Sequence, residues 1–394
     1  MVPKLRFKEF CGEWEEKRLG DVCQVFGRIG FRGYTTKDIV KKEEGVISLS
    51  PSNIVDSKLF LEKENTYISY SKYEESPEIK VYNGDIIFVK TGSTFGKVAI
   101  VENLNENATL NPQMIVLKNI TCNNRFLNYV ISMPVIQKQV QMAKGGGVVP
   151  TLTQKEFLNY KFKLPSLQEQ TKIADFLSTV DDKIQNQQDK ITHLENIKKG
   201  FMQKIFSRKI RFKDDGGDEF PEWEEKKLGD IVVFLDEKRR PLEKGERVSG
   251  IYPYYGASGI IDYVKDYIFD EELILLSEDG ANIIDRNYRV CFLAKGKYWV
   301  NNHAHVLKAK KNYLNAFICE SLERLNYQKY NTGTAQPKLN KEVCKKIILT
   351  IPCLKEQQKI ADFLLLFDEK ISTEKEILEH LKKLKKGLLQ QMFV

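Results

Sequence analysis

Two long stretches of this chain repeat their apolar positions every three to four residues. Between about Ser166 and Phe206, Ile173, Val180, Leu194 and Phe201 share one heptad position, and Leu177, Ile184 and Ile191 share the other. Gln187 and Lys198 are the breaks. From Leu354 to about Met392, Ile360, Phe367, Leu381 and Leu388 share one position and Leu364, Ile371 and Leu378 the other. The breaks here, Glu374 and Lys385, follow the first pair at an offset of 187 residues. A 3.5-residue apolar period held this long predicts helices that pair along a seam. Strong helix formers dominate both stretches and no proline interrupts them. At 1.5 Å per residue each makes a rod of roughly 60 Å. The simplest burial for one seam is the other, within the same chain. Antiparallel pairing is expected, because it carries the attached modules to opposite ends. A helical hairpin used only for dimerisation is the plainer alternative.

The rods are also related in sequence. Residues 167–184 (LQEQTKIADFLSTVDDKI) and 354–371 (LKEQQKIADFLLLFDEKI) agree at 12 of 18 positions, and each follows a proline, Pro165 or Pro352. A second marker repeats upstream: WEEKRLGDV at 14–22 and WEEKKLGDI at 223–231. Each half therefore reads as a Trp-Leu-Gly opening, a variable body and a Pro-preceded rod. Trp14, Leu19, Trp223 and Leu228 are expected core anchors.

The bodies follow a strand period. In the first, residues 45–50, 86–89, 98–101 and 114–117 read as short strands, and 124–142 as helix around Pro134. In the second, 272–276 is a buried strand, 299–307 matches the segment ending at Leu117, and 313–330 reads as helix. The predicted class is α+β: two homologous mixed α/β domains joined by two long helices packed as an antiparallel coiled coil. The expected boundaries are 1–165, helix 166–206, an exposed polar linker 207–217, 218–353, and helix 354–394. Shared framework with different loops suggests two related ligands.

Composition adds bounds. There are 62 basic and 54 acidic residues, a formal charge of +8, which is compatible with a polyanion partner. Seven scattered cysteines without a CxxC pair predict a reducing, cytoplasmic setting. The start, MVPKLRFKEF, lacks an apolar signal core, and no run approaches a membrane span.

Enzyme signatures are weak. Gly92-Ser93-Thr94-Phe95-Gly96-Lys97 is one residue short of a nucleotide phosphate loop, with Val98 where a magnesium-binding hydroxyl belongs. Asn111-Pro112-Gln113-Met114 only faintly resembles an amino-methyltransferase tetrapeptide. His303 and His305 would share one strand face as metal ligands, yet nothing nearby completes a set, and no metal is expected. The alternative use of these loops is contact with DNA. Lysines and hydroxyls suit phosphate oxygens, and asparagine can pair with adenine. The candidates in the first body are Arg28, Arg32, Tyr34, Lys37, Tyr73, Lys90, Ser93, Thr94, Lys97 and Lys144. In the second they are Lys238, Arg239, Arg240, Lys297, Tyr298, Asn301, Asn302, His303 and Lys329. Each alone is compatible with an ordinary surface residue; their collection in loops of both bodies is the argument.

The duplicated WEEK(R/K)LGD(V/I) marker, the Pro-preceded Glu-Gln…Ile-Ala-Asp-Phe-Leu stretch and Gly-Asp-Ile-Ile-Phe-Val-Lys-Thr-Gly-Ser at 84–93 resemble the specificity subunit of type I restriction–modification systems over nearly the whole chain. The resemblance implies two target recognition domains, each reading one half of an asymmetric bipartite sequence in double-stranded DNA, and helices that set the gap between them. It implies a non-catalytic subunit without a cofactor of its own. S-adenosylmethionine, ATP and Mg2+ would act in partners: two modification subunits docked on the helices and, in complete systems, two restriction subunits. A stand-alone DNA-binding or scaffold protein is the competing expectation.

Overall fold

The computed structural model describes residues 2–61, 64–142 and 151–393. Both heptad stretches are single helices, Leu167–Phe206 and Leu354–Met392. The chain divides into two units, residues 1–188 with 377–394, and residues 189–376. Each long helix gives one half to each unit.

The pairing direction is visible inside each unit. In the first, the early part of helix 167–206 meets the end of helix 354–392, with Lys385 Nζ 2.5 Å from Asp181. In the second, Lys198 Nζ lies 2.7 Å from Asp368, and Lys190 lies 2.6 Å from Glu374. Start meets end in both, so the helices run antiparallel. Lys198 and Lys385 are heptad breaks related by the repeat, as are Asp181 and Asp368. One ion pair is thus made twice with the helices exchanging roles. Burying a lysine within an apolar seam is tolerable only because it is paired.

None of the predicted seam residues is exposed. They serve two purposes. Ile173 and Leu177 join the first unit's core with Trp14, Leu19 and Phe126, and Ile360 and Leu364 join the second's with Trp223, Leu228 and Phe317. The later positions, such as Phe201 against Phe367 with ring centroids 5.8 Å apart, complete the helix contact.

The repeated markers close each body. Glu15–Arg18 pairs antiparallel with Lys161–Leu164, and Glu224–Lys227 with Ile348–Ile351, so the strand after each tryptophan holds the strand that leads into the proline. The central sheets share one order. In the first unit it is Gln24–Gly27, Met114–Lys118, Ile86–Val89, Val98–Ile100, extended by two short strands. In the second it is Val232–Phe234, Ala304–Ala309, Leu273–Ser277, Cys291–Ala294. Ile86–Val89 and Leu273–Ser277 are buried on both faces, which is why they read as continuous apolar runs. Residues 299–307, expected as one segment, are divided. Lys297–Val300 belongs to a second sheet and Ala304–Ala309 to the central one. All seven cysteines are free thiols, five of them buried. Among the described residues no helix is long and apolar enough to cross a membrane.

What fastens each body to its helix is a buried carboxylate. Glu169 sits in the first helical turn and accepts from Arg6 Nε and Nη2, both at 2.8 Å, and from Trp14 Nε1 at 3.3 Å. Glu356 does the same with Arg211 Nη2 at 3.0 Å and Trp223 Nε1 at 3.1 Å. The next residues, Gln170 and Gln357, accept from the backbone N–H of Asn123 and Leu314 and donate to the carbonyls of Pro165 and Pro352. Arg211 lies in the segment 207–217, whose Ile210 and Phe212 pack on the second core. Removing Glu356 leaves the Trp223 indole N–H without its acceptor and takes from Arg211 its buried carboxylate partner, although Glu222 and the Phe220 and Pro221 carbonyls remain. Glu356→Ala is expected to destabilise the second unit by roughly 3 kcal/mol, read as a lower urea midpoint, whereas Glu342→Ala, which breaks an exposed pair with Lys345, should leave the midpoint unchanged.

Candidate nucleic-acid interface

In each unit three loops meet at one end of the central sheet, held by the same backbone bonds. In the first, Lys90 N–H donates to Gln113 O at 2.9 Å and Leu152 N–H donates to Lys90 O at 3.0 Å. In the second, Glu278 N–H donates to His303 O at 2.9 Å and Leu339 N–H donates to Glu278 O at 2.7 Å. Bridges between Thr91 and Thr151 and between Asp279 and Lys338 complete the match. The framework is therefore the same and the side chains differ: Lys90, Ser93, Gln113 and Thr151 at one site, Glu278, Asp279, His303 and Lys338 at the other.

The turn before the strand shows how this is achieved. Asn111 Oδ1 accepts from Gln113 N–H at 3.0 Å, and Asn301 Oδ1 accepts from His303 N–H at 2.8 Å. An asparagine closing a turn onto the residue two positions ahead is a local, sequence-readable device. It explains why Asn111-Pro112-Gln113 forms a turn. Asn301, proposed to face bases, is buried and spends its side chain on the turn. Asn302 and His303 are the exposed members. Gln113, their exposed counterpart to His303, was not among the sequence candidates; the shared Asn-x-(Gln/His) pattern before a strand is the signal for it.

The two histidines do not form one strand face, because His303 lies in the turn and only His305 is on the strand. His303 Nδ1 is 2.9 Å from Asp279. His305 is buried, with Nδ1 2.9 Å from Asp236 Oδ2 and Nε2 2.7 Å from Leu339 O. A carbonyl and a carboxylate can only accept, so both ring nitrogens carry protons. Burial opposes that charge, but the bonds to Asp236 and Cys344 outweigh it and raise the His305 pKa to about 10. Asp236 is held below its ordinary value despite its own burial, chiefly by His305. This imidazolium ties the 236–240 loop and the 332–339 loop to the strand between them. Among the described residues no group of three or more His, Cys, Asp or Glu is placed to hold a metal.

The remaining candidates separate by burial. Arg28 is buried, donating to Leu110 O at 2.9 Å and Arg32 O at 3.1 Å beside the Tyr34 ring, and burial lowers its pKa. Arg32 donates to Glu75 O, and Tyr34 accepts from Ser48. Tyr73 is a buried side chain, and Tyr298 is 0% exposed in a core. Loop composition points outward for both, but tertiary packing draws them in. Arg239 is fixed by Glu278 at 2.7 Å and Ala304 O at 2.8 Å. Lys37, Ser93, Lys97, Lys238, Arg240, Lys297 and Lys329 are exposed, and Lys90 and Thr94 partly so. Lys97 Nζ reaches Ile54 O at 3.3 Å, and Lys297 lies over the Tyr267 ring. Lys144 falls outside the described residues.

The family model described as the type I restriction modification DNA specificity domain matches residues 12–196 and 221–383. A putative type I restriction enzyme specificity subunit of Haemophilus influenzae is 36% identical over 143 residues, 36% of this chain and 36% of the relative. A type I restriction enzyme specificity subunit of Methanocaldococcus jannaschii is 29% identical over 202 residues, 48% of this chain and 46% of the relative. The chain thus spans about a third to a half of the length of these two curated relatives. The crystal structure of a type I restriction-modification system S subunit from M. genitalium shares the fold, with a TM-score of 0.65 at 16% identity over 100% of this chain and 99% of that one.

His305 predicts a pH-dependent stability of the second unit. Its folded pKa is raised from 6.5 to about 10, so the stabilisation is complete below about pH 6.5 and is lost as pH rises toward 10. The urea midpoint of this unit should fall across that interval. His305→Gln should lower the stability of this unit by roughly 3 kcal/mol at pH 7, by removing the cation bonded to the buried Asp236, and remove much of the decline.

Proposed function

The chain belongs to the type I restriction–modification DNA specificity family, and from that membership we propose that its two units read the two halves of an asymmetric bipartite target in double-stranded DNA. The observation that carries the reading is the duplicated sheet end: one backbone framework, closed by the same asparagine turn, bearing different side chains in each unit. Identical frameworks place their tips alike, and different tips suit different base sequences. Lys37, Lys97, Lys238, Arg240, Lys297 and Lys329 are suited to phosphates, and Ser93, Gln113, Asn302 and His303 to base edges.

Two reading modules on one connection add their binding free energies at a reduced second orientational cost. The long helices, continuous through both units, serve as that connection and as the docking surface for two modification subunits. Those subunits supply S-adenosylmethionine-dependent methylation. Restriction subunits, using ATP and Mg2+, complete the assembly. This chain itself contributes recognition.

Mapping of methylated adenine across the genome of a host expressing this chain with its neighbouring methyltransferase tests the reading. A bipartite, non-palindromic motif with a fixed gap, absent without this chain, is expected. An unchanged map with an active methyltransferase and a folded chain would favour a stand-alone DNA-binding or scaffold role. The helices make a second prediction. One heptad added to each lengthens the pair by about 10.5 Å, so the gap should grow by roughly 3 bp while both half-sites stay the same. A motif with an unaltered gap counts against the helices as a spacer.

A further inference from the structure

The second unit carries a β-hairpin, Ser249–Gly256 and Gly259–Val264, joined by a tight tip at the edge of a four-stranded sheet in which Ser249–Gly256 also pairs with Lys297–Val300. Its outer surface is apolar: Ile260 is 46% and Ile261 52% exposed, with Ile251 and Tyr263 also open to solvent. Two bulky apolar side chains left exposed in succession beside a hairpin tip mark a contact surface more often than an isolated one does.

The tip is fixed to the candidate interface. Asn301 N–H donates to Tyr255 O at 3.0 Å, and Ser277 Oγ donates to Ala257 O at 2.5 Å. These bonds join it to the turn that presents Asn302 and His303 and to the end of the central strand. Gly256 leaves room for a close approach. A Cβ there would lie 3.1 Å from Ile261 Cγ2 and 3.5 Å from Asn301 Nδ2. Ile261 therefore crosses the bare glycine beside the Asn301 amide. Gly259, at φ +125°, reverses the chain where a side chain would be strained. Ser258, Ile260 and Ile261 thus continue the surface of Asn302 and His303. Arg240 flanks it, its N–H donating to Val300 O at 3.3 Å and its carbonyl holding Trp299 Nε1 at 2.6 Å.

The major groove of B-DNA is wide enough to admit two β-strands and so the tip of an edge hairpin, and the thymine C5-methyl is the apolar feature on the base edges there. We propose that the 256–261 tip enters the major groove, with Ile260 and Ile261 sensing a thymine methyl and the Ser258 hydroxyl facing the adjacent base edge. The inference rests on the reading of this unit as a recognition domain. It adds an apolar reading element to a surface whose other groups are polar.

The test uses the chain assembled with its methyltransferase on duplexes carrying the mapped target. Thymines on either strand are replaced singly by deoxyuridine, which lacks the methyl. One or two positions, confined to one half-site, should lose about fourfold in methylation efficiency, the value of one buried methyl-sized group. The variant I260S/I261S, altered only at exposed positions and checked by an unchanged urea midpoint, should lose that uridine penalty. Its methylation map should relax at the same base while the other half-site is intact. Uridine without effect at every position, or a penalty that persists in the variant, overturns the proposal. Equal loss of methylation on all duplexes with an unrelaxed motif also overturns it, and assigns the hairpin to contact with the methyltransferase. Absence of any chain-dependent motif overturns the recognition reading along with it, so the two failures are distinct.

Discussion

A carboxylate buried in the first turn of each long helix is the constraint on which the architecture depends. Glu169 and Glu356 each face an arginine from upstream and the indole N–H of the duplicated tryptophan. An acidic group at a helix start is favoured by the helix dipole, but one without solvent is tolerated only with donors in place. The carboxylate therefore obliges the chain before the body to return to the beginning of the helix after it. Body and helix are closed into one piece by that requirement, and the adjoining glutamine fastens the same joint to the loop backbone.

With the joint settled, variation is confined to one end of each sheet. Backbone bonds from Lys90 and Glu278 set the framework, and the apolar strands beneath are nearly featureless. The second unit then adds its own reinforcement. The His305 imidazolium fastens two loops there, where the first unit has Ile115 at the matching strand position. The two sites share a plan without sharing electrostatics.

Much of this was legible in the sequence, for identifiable reasons. Heptad spacing survives translation along the chain, so both helices and their relation could be read directly, and the duplicated tryptophan marker located the bodies. Long-range contact was less accessible. Arg211 sat in a segment read as exposed linker, although Lys4-Leu5-Arg6-Phe7-Lys8 and Lys209-Ile210-Arg211-Phe212-Lys213 are a third repeat. Tyr298 was read as a loop residue, yet it alternates with Val300 on a strand, both of them buried. Arg28 shows the limit of composition. A basic residue beside glycines and aromatics has the look of a surface group, and only the carbonyls of Leu110 and Arg32 explain why it is inside.

The asparagine turn at Asn111 and Asn301 has a consequence for how such a chain can change. Because the turn is closed by one side chain and by backbone, the two residues that follow carry almost no responsibility for folding. Pro112-Gln113 and Asn302-His303 already differ completely on the same scaffold. A new pair at these positions meets little resistance from stability, so mutational drift there is filtered by what the tip touches. The protein separates the residues that must be kept to remain folded from those that can be exchanged to acquire a different preference, and it does so within three consecutive positions.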